Sequence, residues 1–109
     1  MTNNRYILYA RKSTDVEDKQ VLSIEAQLAE LRKFARDNKL VIIDELIEKQ
    51  NAKSPGRPIF NSMLTRIQNG EANGILAWHP DRLARNSIDG GQIIYLIDQT
   101  SLNFLRFPV

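Results

Sequence analysis

The sequence feature that most constrains the fold is an alternation of short apolar segments with longer segments of helical periodicity. Four short segments, 6–10, 40–47, 74–78 and 102–107, are rich in strand-forming residues. Between them, apolar residues recur at three- and four-residue spacing, as they do along one face of a helix. The alternation predicts an α/β fold with a mainly parallel central sheet and helices on both faces.

Capping residues predict where the first two helices begin and end. Ser23 can cap a helix that runs to about Asn38, since a serine hydroxyl accepts a hydrogen bond from a free backbone N–H of the first turn. Pro58 is a good first-turn residue for a second helix, which we expect residues 69–70 (Asn-Gly) to end.

Two more helices are predicted after the third strand. His79-Pro80 breaks that strand, and Asp81 is well placed to begin a short helix. The next helix carries Gly90-Gly91, where we expect close packing or a helix break. Its predicted apolar side consists of Ile93, Ile94, Leu96 and Ile97.

The length and amino-acid composition of the chain predict one soluble domain. At 109 residues there is room for one domain with a modest core. Cysteine is absent, which excludes disulfides and thiolate metal sites and fits a reducing cytoplasm. No segment resembles a signal peptide or approaches the roughly 20 apolar residues that span a bilayer. We therefore expect a cytoplasmic protein without a membrane partner.

The charge balance places a limit on any role with nucleic acid. A net charge of +2 is too small to indicate such a partner by itself. If DNA is the partner, this domain performs chemistry while affinity comes from elsewhere.

Polar side chains collect at the ends of the first three predicted strands, where α/β proteins place functional groups. In extended geometry, alternate residues after the first strand point to one side. After the third strand, positions 81, 82 and 85 share a helical face. The clusters are Tyr9, Arg11 and Ser13, then Ser54 and Arg57, then Asp81, Arg82 and Arg85.

Four arginines and a hydroxyl on one edge favour phosphoryl transfer. Guanidinium groups are planar, always charged and able to donate hydrogen bonds to two phosphate oxygens at once. Phosphoryl transfer depends largely on positioning and on neutralising charge on the equatorial oxygens. A serine nucleophile needs activation. His79 is a poor candidate for the base, so a carboxylate or the arginine environment would have to assist.

Three motifs resemble those of a known family. YARKST, GRPIF and HPDRLARN, in this order and spacing, are similar to the catalytic domain of the serine site-specific recombinases, the resolvase/invertase family. The resemblance covers nearly the whole chain and implies a Rossmann-like three-layer fold. One segment is more similar to the large integrase and transposase branch than to the small resolvases: GRPIFNSMLTRIQNGEANGILAWHPDRLARN.

The resemblance implies a role for each matching residue. Ser13 would attack the scissile DNA phosphate, giving a 5′-phosphoserine and a free 3′-hydroxyl, and Asp81 would orient the arginines or assist proton transfer. The arginines that would bind the phosphate are Arg11, Arg57, Arg82 and Arg85. The supporting positions would be Tyr9, Gln27, Glu48 and Arg66.

The resemblance also implies partners and no cofactor. A phosphoserine stores the bond energy, so religation would need neither ATP nor Mg²⁺. The partner would be double-stranded DNA, with a homodimer on each site and a tetramer at synapsis in the full-length protein. Residues 1–109 would then be the catalytic domain, truncated before the dimerisation helix and the DNA-binding domains.

Two other classes of function are alternatives. In a non-catalytic interaction module, Ser13 would be dispensable and Arg11, Arg82 and Arg85 would point apart. A phosphatase or nuclease would release its product to water and usually carry a metal cluster, for which the sequence offers no clear ligands.

Overall fold

A computed structural model describes residues 4–11, 23–49 and 56–108, together with the backbone but not the side chains of residues 81 and 82. Ser13 and Ser54 therefore lie outside the described residues. Every strand and helix predicted from the sequence is present, with boundaries shifted by a few residues at most. In chain order the elements are β1 (Tyr6–Arg11), α1 (Ile24–Asp37), β2 (Ile42–Glu48), α2 (Pro58–Gln68), β3 (Gly74–Ala77), α3 (Pro80–Leu83), α4 (Ser87–Asp98) and β4 (Phe104–Arg106).

The described strands form one parallel sheet in the order β2-β1-β3-β4. β1 and β3 are central and wholly buried, whereas β2 and β4 are edges with half-exposed residues. The predicted α/β class is confirmed. Because the strands are parallel, β1, β2 and β3 all end at the same edge, which we call the carboxyl edge.

Helices cover both faces of the sheet. On one face, Leu28 and Leu31 of α1 join the core around Leu8. On the other, α2 and α4 join the core around Ile7 and Ile75. The arrangement is three-layered, as predicted, and successive residues of β1 alternate between the two cores.

Local chemistry accounts for the helix starts. The Ser23 hydroxyl accepts a hydrogen bond from the Ala26 N–H at 3.1 Å, as predicted for the α1 cap. Asn86 caps α4 by accepting from the Asp89 N–H at 2.8 Å. α2 has Pro58 in its first turn, but its N-cap residue, Arg57, makes no capping bond with its own side chain. Its free N–H groups are satisfied from β2, as described below.

The predicted apolar side of α4 is wrong in part. Ile93 and Leu96 are buried, but Ile94 is 60% exposed and Ile97 is 43% exposed. These residues form two stripes of three-residue spacing on neighbouring sides of the helix, and only one stripe meets the sheet. A helix with apolar residues on both sides does not reveal from its sequence which side packs.

The expectation for Gly90-Gly91 is also wrong. α4 runs unbroken through both residues. A Cβ built at either position would have no atom within 4 Å beyond its own helix, so neither glycine is required by close packing.

None of the described helices is long and apolar enough to cross a membrane.

Candidate active site

Buried polar side chains concentrate at the carboxyl edge. Burying a charged or amide group without partners is costly, so such groups mark places where structure or chemistry requires them. In the described part of the chain, the buried charged or polar residues are Arg11, Gln27, Glu48, Arg57 and Asp89. Arg11 and Glu48 end β1 and β2, Arg57 precedes α2, and Asp89 lies in the first turn of α4.

Gln27 holds the end of β1. Its side-chain Nε2 donates to the Arg11 carbonyl oxygen at 3.0 Å, and its Oε1 accepts from the Arg11 N–H at 3.4 Å. Arg11 is paired with Glu48 of β2, whereas the pairing of β1 with β3 ends at Tyr9. The Gln27 amide thus takes the place of β3 for the last residue of β1. This fixes the backbone two residues before Ser13, and the Arg11 side chain is itself fully buried.

Glu48 joins β2 to the start of α2 and to Tyr9. Its Oε1 accepts from the Phe60 N–H and from the Tyr9 hydroxyl, each at 2.8 Å, and its Oε2 accepts from the Ile59 N–H at 3.2 Å. A carboxylate at a helix N-terminus satisfies free N–H groups and is stabilised by the helix dipole. Glu48 therefore supplies the cap that the Arg57 side chain does not provide.

Arg57 is the centre of the network. Its Nη1 donates to the Tyr9 hydroxyl at 3.0 Å, and its Nη2 donates to the Leu83 carbonyl at 2.6 Å and to Asp89 Oδ2 at 3.0 Å. The guanidinium carbon also lies 4.0 Å from the centre of the Phe60 ring, a cation–π contact. These bonds turn the Arg57 side chain inward, and it is 1% exposed.

Tyr9 stays protonated in this environment. Burial raises its pKa well above the ordinary value, because the phenolate would lose its hydration. The positive charge of Arg57 lowers the pKa, but it does not outweigh burial and the hydrogen bond to Glu48. Tyr9 is therefore a neutral donor that connects Glu48 to Arg57, and it is not a base.

Sequence reasoning missed Asp89. Its Oδ2 accepts from Arg57 and, at 2.8 Å, from Nδ2 of Asn86, so Arg57 and the N-cap residue of α4 donate to the same oxygen. The pattern Asn-x-x-Asp at 86–89 is a helix-start pattern that could have indicated a first-turn acid. Its partner Arg57, 32 residues earlier, could not have been inferred from that pattern.

Apart from Ser13 and Arg66, the predicted site residues fall into three groups. Arg85 is exposed and follows α3. A second group lies at the carboxyl edge, where Arg11 ends β1. Its other members are Tyr9, Gln27, Glu48 and Arg57. The backbones of Asp81 and Arg82 form part of α3, but the structure does not describe their side chains.

Arg66 is not part of this network. It lies in the last turn of α2 and bonds to Asp44 Oδ2 at 2.7 Å and to Glu71 Oε1 at 3.1 Å. The hydrogen bond from Arg66 lowers the pKa of Asp44 below its usual range. Asp44 lies near the start of β2, whereas Glu48 ends it, so Arg66 joins α2 to the far end of that strand.

The chemistry available at this edge is electrostatic. Guanidinium groups stabilise negative charge on phosphate oxygens, and their rigid placement avoids reorganisation during the reaction. Within the described ranges, no group of three or more histidine or acidic residues could hold a metal ion.

Comparison with known proteins gives the class of this fold. The chain is similar to the C-terminal catalytic domain of ISC1926 TnpA, an IS607-like serine recombinase, with a TM-score of 0.76 and 17% identity over 96% of this chain and 67% of that one. It is also similar to the N-terminal catalytic domain of TP901-1 integrase, with a TM-score of 0.74 and 23% identity over 92% of this chain and 75% of that one. A resolvase family site-specific recombinase from Streptococcus pneumoniae gives a TM-score of 0.67 and 28% identity over 92% of this chain and 69% of that one. The fold is that of a serine recombinase catalytic domain.

The family follows from sequence. Residues 6–106 match the family described as "Resolvase, N terminal domain". The chain belongs to this family, and its domain is that of a DNA recombinase, as the motifs predicted. No curated protein matches its sequence.

Proposed function

We propose that this domain breaks and rejoins DNA by transesterification, with Ser13 as the nucleophile. Ser13 Oγ loses its proton and forms a bond to the scissile phosphorus, while the bond from phosphorus to the 3′ oxygen breaks and that oxygen takes up a proton. The product is a 5′-phosphoserine and a free 3′-hydroxyl. Attack by a different 3′-hydroxyl reverses the step and joins exchanged strands, so the bond energy is conserved.

The observation that carries this proposal is the position of Arg11. It is fully buried, its backbone N–H and carbonyl both bond to the Gln27 side chain, and it lies two residues before Ser13 at the carboxyl edge. An arginine held there can neutralise negative charge on the oxygens of the phosphate whose phosphorus Ser13 attacks. Arg85, and with it Arg82 and Asp81, come from the segment after β3, which ends at the same edge.

The same proposal covers the partners. Double-stranded DNA is the substrate, and the full-length protein acts as a homodimer on each site and as a tetramer at synapsis. The small net charge of this domain supports a division of labour in which other parts of the full-length protein supply most of the DNA affinity.

Covalent trapping tests the reaction. The full-length parent protein is incubated with a nicked recombination-site duplex, in EDTA and without ATP, and then denatured. We expect a protein–DNA adduct on the 5′ phosphate from wild type and none from Ser13→Ala. Ser62→Ala is the matched control, because Ser62 is an exposed residue of α2.

Each result has a definite meaning. An adduct from wild type and Ser62→Ala, but not from Ser13→Ala, supports the proposal. Site binding without any adduct contradicts it and favours the interaction module. Strand cleavage without a protein-linked end favours a nuclease.

A further inference from the structure

The Arg57–Asp89 ion pair is buried at the carboxyl edge of the sheet. The two groups are 3.0 Å apart and each side chain is 1% exposed. Buried ion pairs are often no more stabilising than apolar residues of similar volume, so stability is a weak reason to keep one. A buried ion pair is better explained when it fixes the position of a neighbouring segment.

The geometry that this pair fixes is that of the segment carrying Arg85. One nitrogen, Arg57 Nη2, donates both to the carbonyl of Leu83, the last residue of α3, and to the carboxylate of Asp89 in the first turn of α4. The stretch 84–88 therefore runs between two points held by the same atom. Asn86 adds a third constraint through its two bonds to Asp89.

The guanidinium is itself anchored to the sheet. Tyr9 of β1 accepts from Nη1, and the Phe60 ring lies against the guanidinium carbon. Arg57 thus joins the segment 84–88 to β1, which ends at Arg11, two residues before Ser13.

We propose that Arg57 and Asp89 are positioning residues that set Arg85 against the DNA phosphate. This inference rests on the proposed function and adds Asp89 to the residues that the reaction needs. It also gives Arg57 an indirect role, because its guanidinium is bonded to Tyr9, Leu83 and Asp89 and acts on the phosphate through the segment it holds.

Asp89→Asn isolates the charge of this pair. Arg57 and Asn86 both donate to the same carboxylate oxygen of Asp89, Oδ2, so an asparagine carbonyl in that position can accept both bonds. The variant keeps the hydrogen bonds and loses the negative charge that holds Arg57. Asp98→Asn is the matched control, since it makes the same chemical change at an exposed position at the other end of α4.

The experiment is a double-mutant cycle in the full-length protein, measured as the rate of adduct formation on the nicked duplex. Asp89→Asn should slow this rate on the order of 10- to 100-fold, as misplaced catalytic groups do, while site affinity stays within about twofold. Asp98→Asn should leave the rate unchanged. In an Arg85→Lys background, adding Asp89→Asn should slow the reaction by no more than about twofold, because the residue that Asp89 positions is already altered.

The outcomes separate this inference from the function on which it rests. A wild type without a Ser13-dependent adduct overturns the proposed function, and the inference falls with it. A normal wild type with an unaffected Asp89→Asn rate overturns the inference alone. So does an equal slowing by Asp89→Asn in the wild-type and Arg85→Lys backgrounds, which is the result expected of a merely structural role.

If circular dichroism shows that Asp89→Asn is unfolded, Asp89→Glu replaces it in the cycle. That variant keeps the charge and moves the carboxylate by one methylene group. We expect Asp89→Glu to slow adduct formation in the wild-type background as Asp89→Asn would. In the Arg85→Lys background we expect no such loss. Equal effects in both backgrounds overturn the inference.

Discussion

At the scale of single residues, the carboxyl edge is held by polar groups that pair almost completely. Gln27 satisfies both backbone groups of Arg11, and Glu48 satisfies two N–H groups of α2 as well as the Tyr9 hydroxyl. Arg57 Nε, in contrast, is buried without a hydrogen-bond partner. A buried unpaired donor costs free energy, and the other three bonds and the Phe60 contact offset that cost.

Replacement by alanine should change the free energy of unfolding in opposite directions at Gly74 and Gly91. A Cβ at Gly74 would lie 2.8 and 2.9 Å from ring atoms of Tyr6, which is buried and packed beside Phe104. Gly74→Ala should therefore lower the free energy of unfolding by about 1–3 kcal/mol. Gly91→Ala adds a methyl group in open space on α4 and should raise it by about 0.5–1 kcal/mol.

Urea unfolding of both variants beside wild type measures these changes. A destabilising Gly91→Ala would contradict the placement of that residue on the open side of α4. A neutral Gly74→Ala would contradict the close approach of β3 to the Tyr6 ring.

At the scale of elements, sequence periodicity and capping predicted most of the structure. Ser23 and Pro58 begin their helices as expected, because capping and first-turn preferences are local properties. The packed side of α4 could not be predicted, since its sequence offers two apolar stripes. Which stripe is buried depends on the direction in which α4 leaves Asn86, and that direction is fixed by tertiary contacts.

Adjacent isoleucines of α4 provide a matched test of its orientation. Ile93 is 6% exposed and Ile94 is 60% exposed. Ile93→Ala should cost about 2–4 kcal/mol through lost burial and a cavity. Ile94→Ala should change the free energy of unfolding by less than about 0.5 kcal/mol. Chemical denaturation measures both, and similar costs at the two positions would contradict the orientation of α4.

At the scale of the whole molecule, the sheet brings together residues that are distant in sequence. The parallel alternation predicted that β1, β2 and β3 end at one edge. Four of the five buried polar residues there, all except Asp89, are among the site residues that the family resemblance implied. The pairings were not predictable: Tyr9 meets Arg57 across 48 positions and Arg57 meets Asp89 across 32. Such pairings depend on strand order and helix packing, and no local pattern encodes them.

The buried Tyr9 hydroxyl makes global stability sensitive to alkali. In the unfolded chain Tyr9 ionises near pH 10, whereas burial raises its pKa in the folded protein. Above pH 10 the folded state thus binds more protons than the unfolded state, and stability falls as pH rises. This group alone should contribute a slope of up to about 1.4 kcal/mol per pH unit.

Tyr9→Phe separates this contribution from those of other groups. The variant should be less stable at pH 7, because Arg57 and Glu48 lose a partner, but its stability should fall less steeply between pH 10 and 11. Urea unfolding across pH 7–11 provides the comparison. Equal slopes above pH 10 would show that Tyr9 ionises in the folded protein.

The most direct test of the central claim is to identify the residue that carries the DNA. The trapped adduct is digested with nuclease and trypsin, and the peptide of residues 13–19 is sequenced by mass spectrometry. Fragmentation distinguishes Ser13 from the adjacent Thr14. A nucleotide joined through its 5′ phosphate to Ser13 is the predicted result. A nucleotide on another residue, or an unmodified 13–19 peptide from an adduct that is otherwise intact, would contradict the assignment of Ser13 as nucleophile.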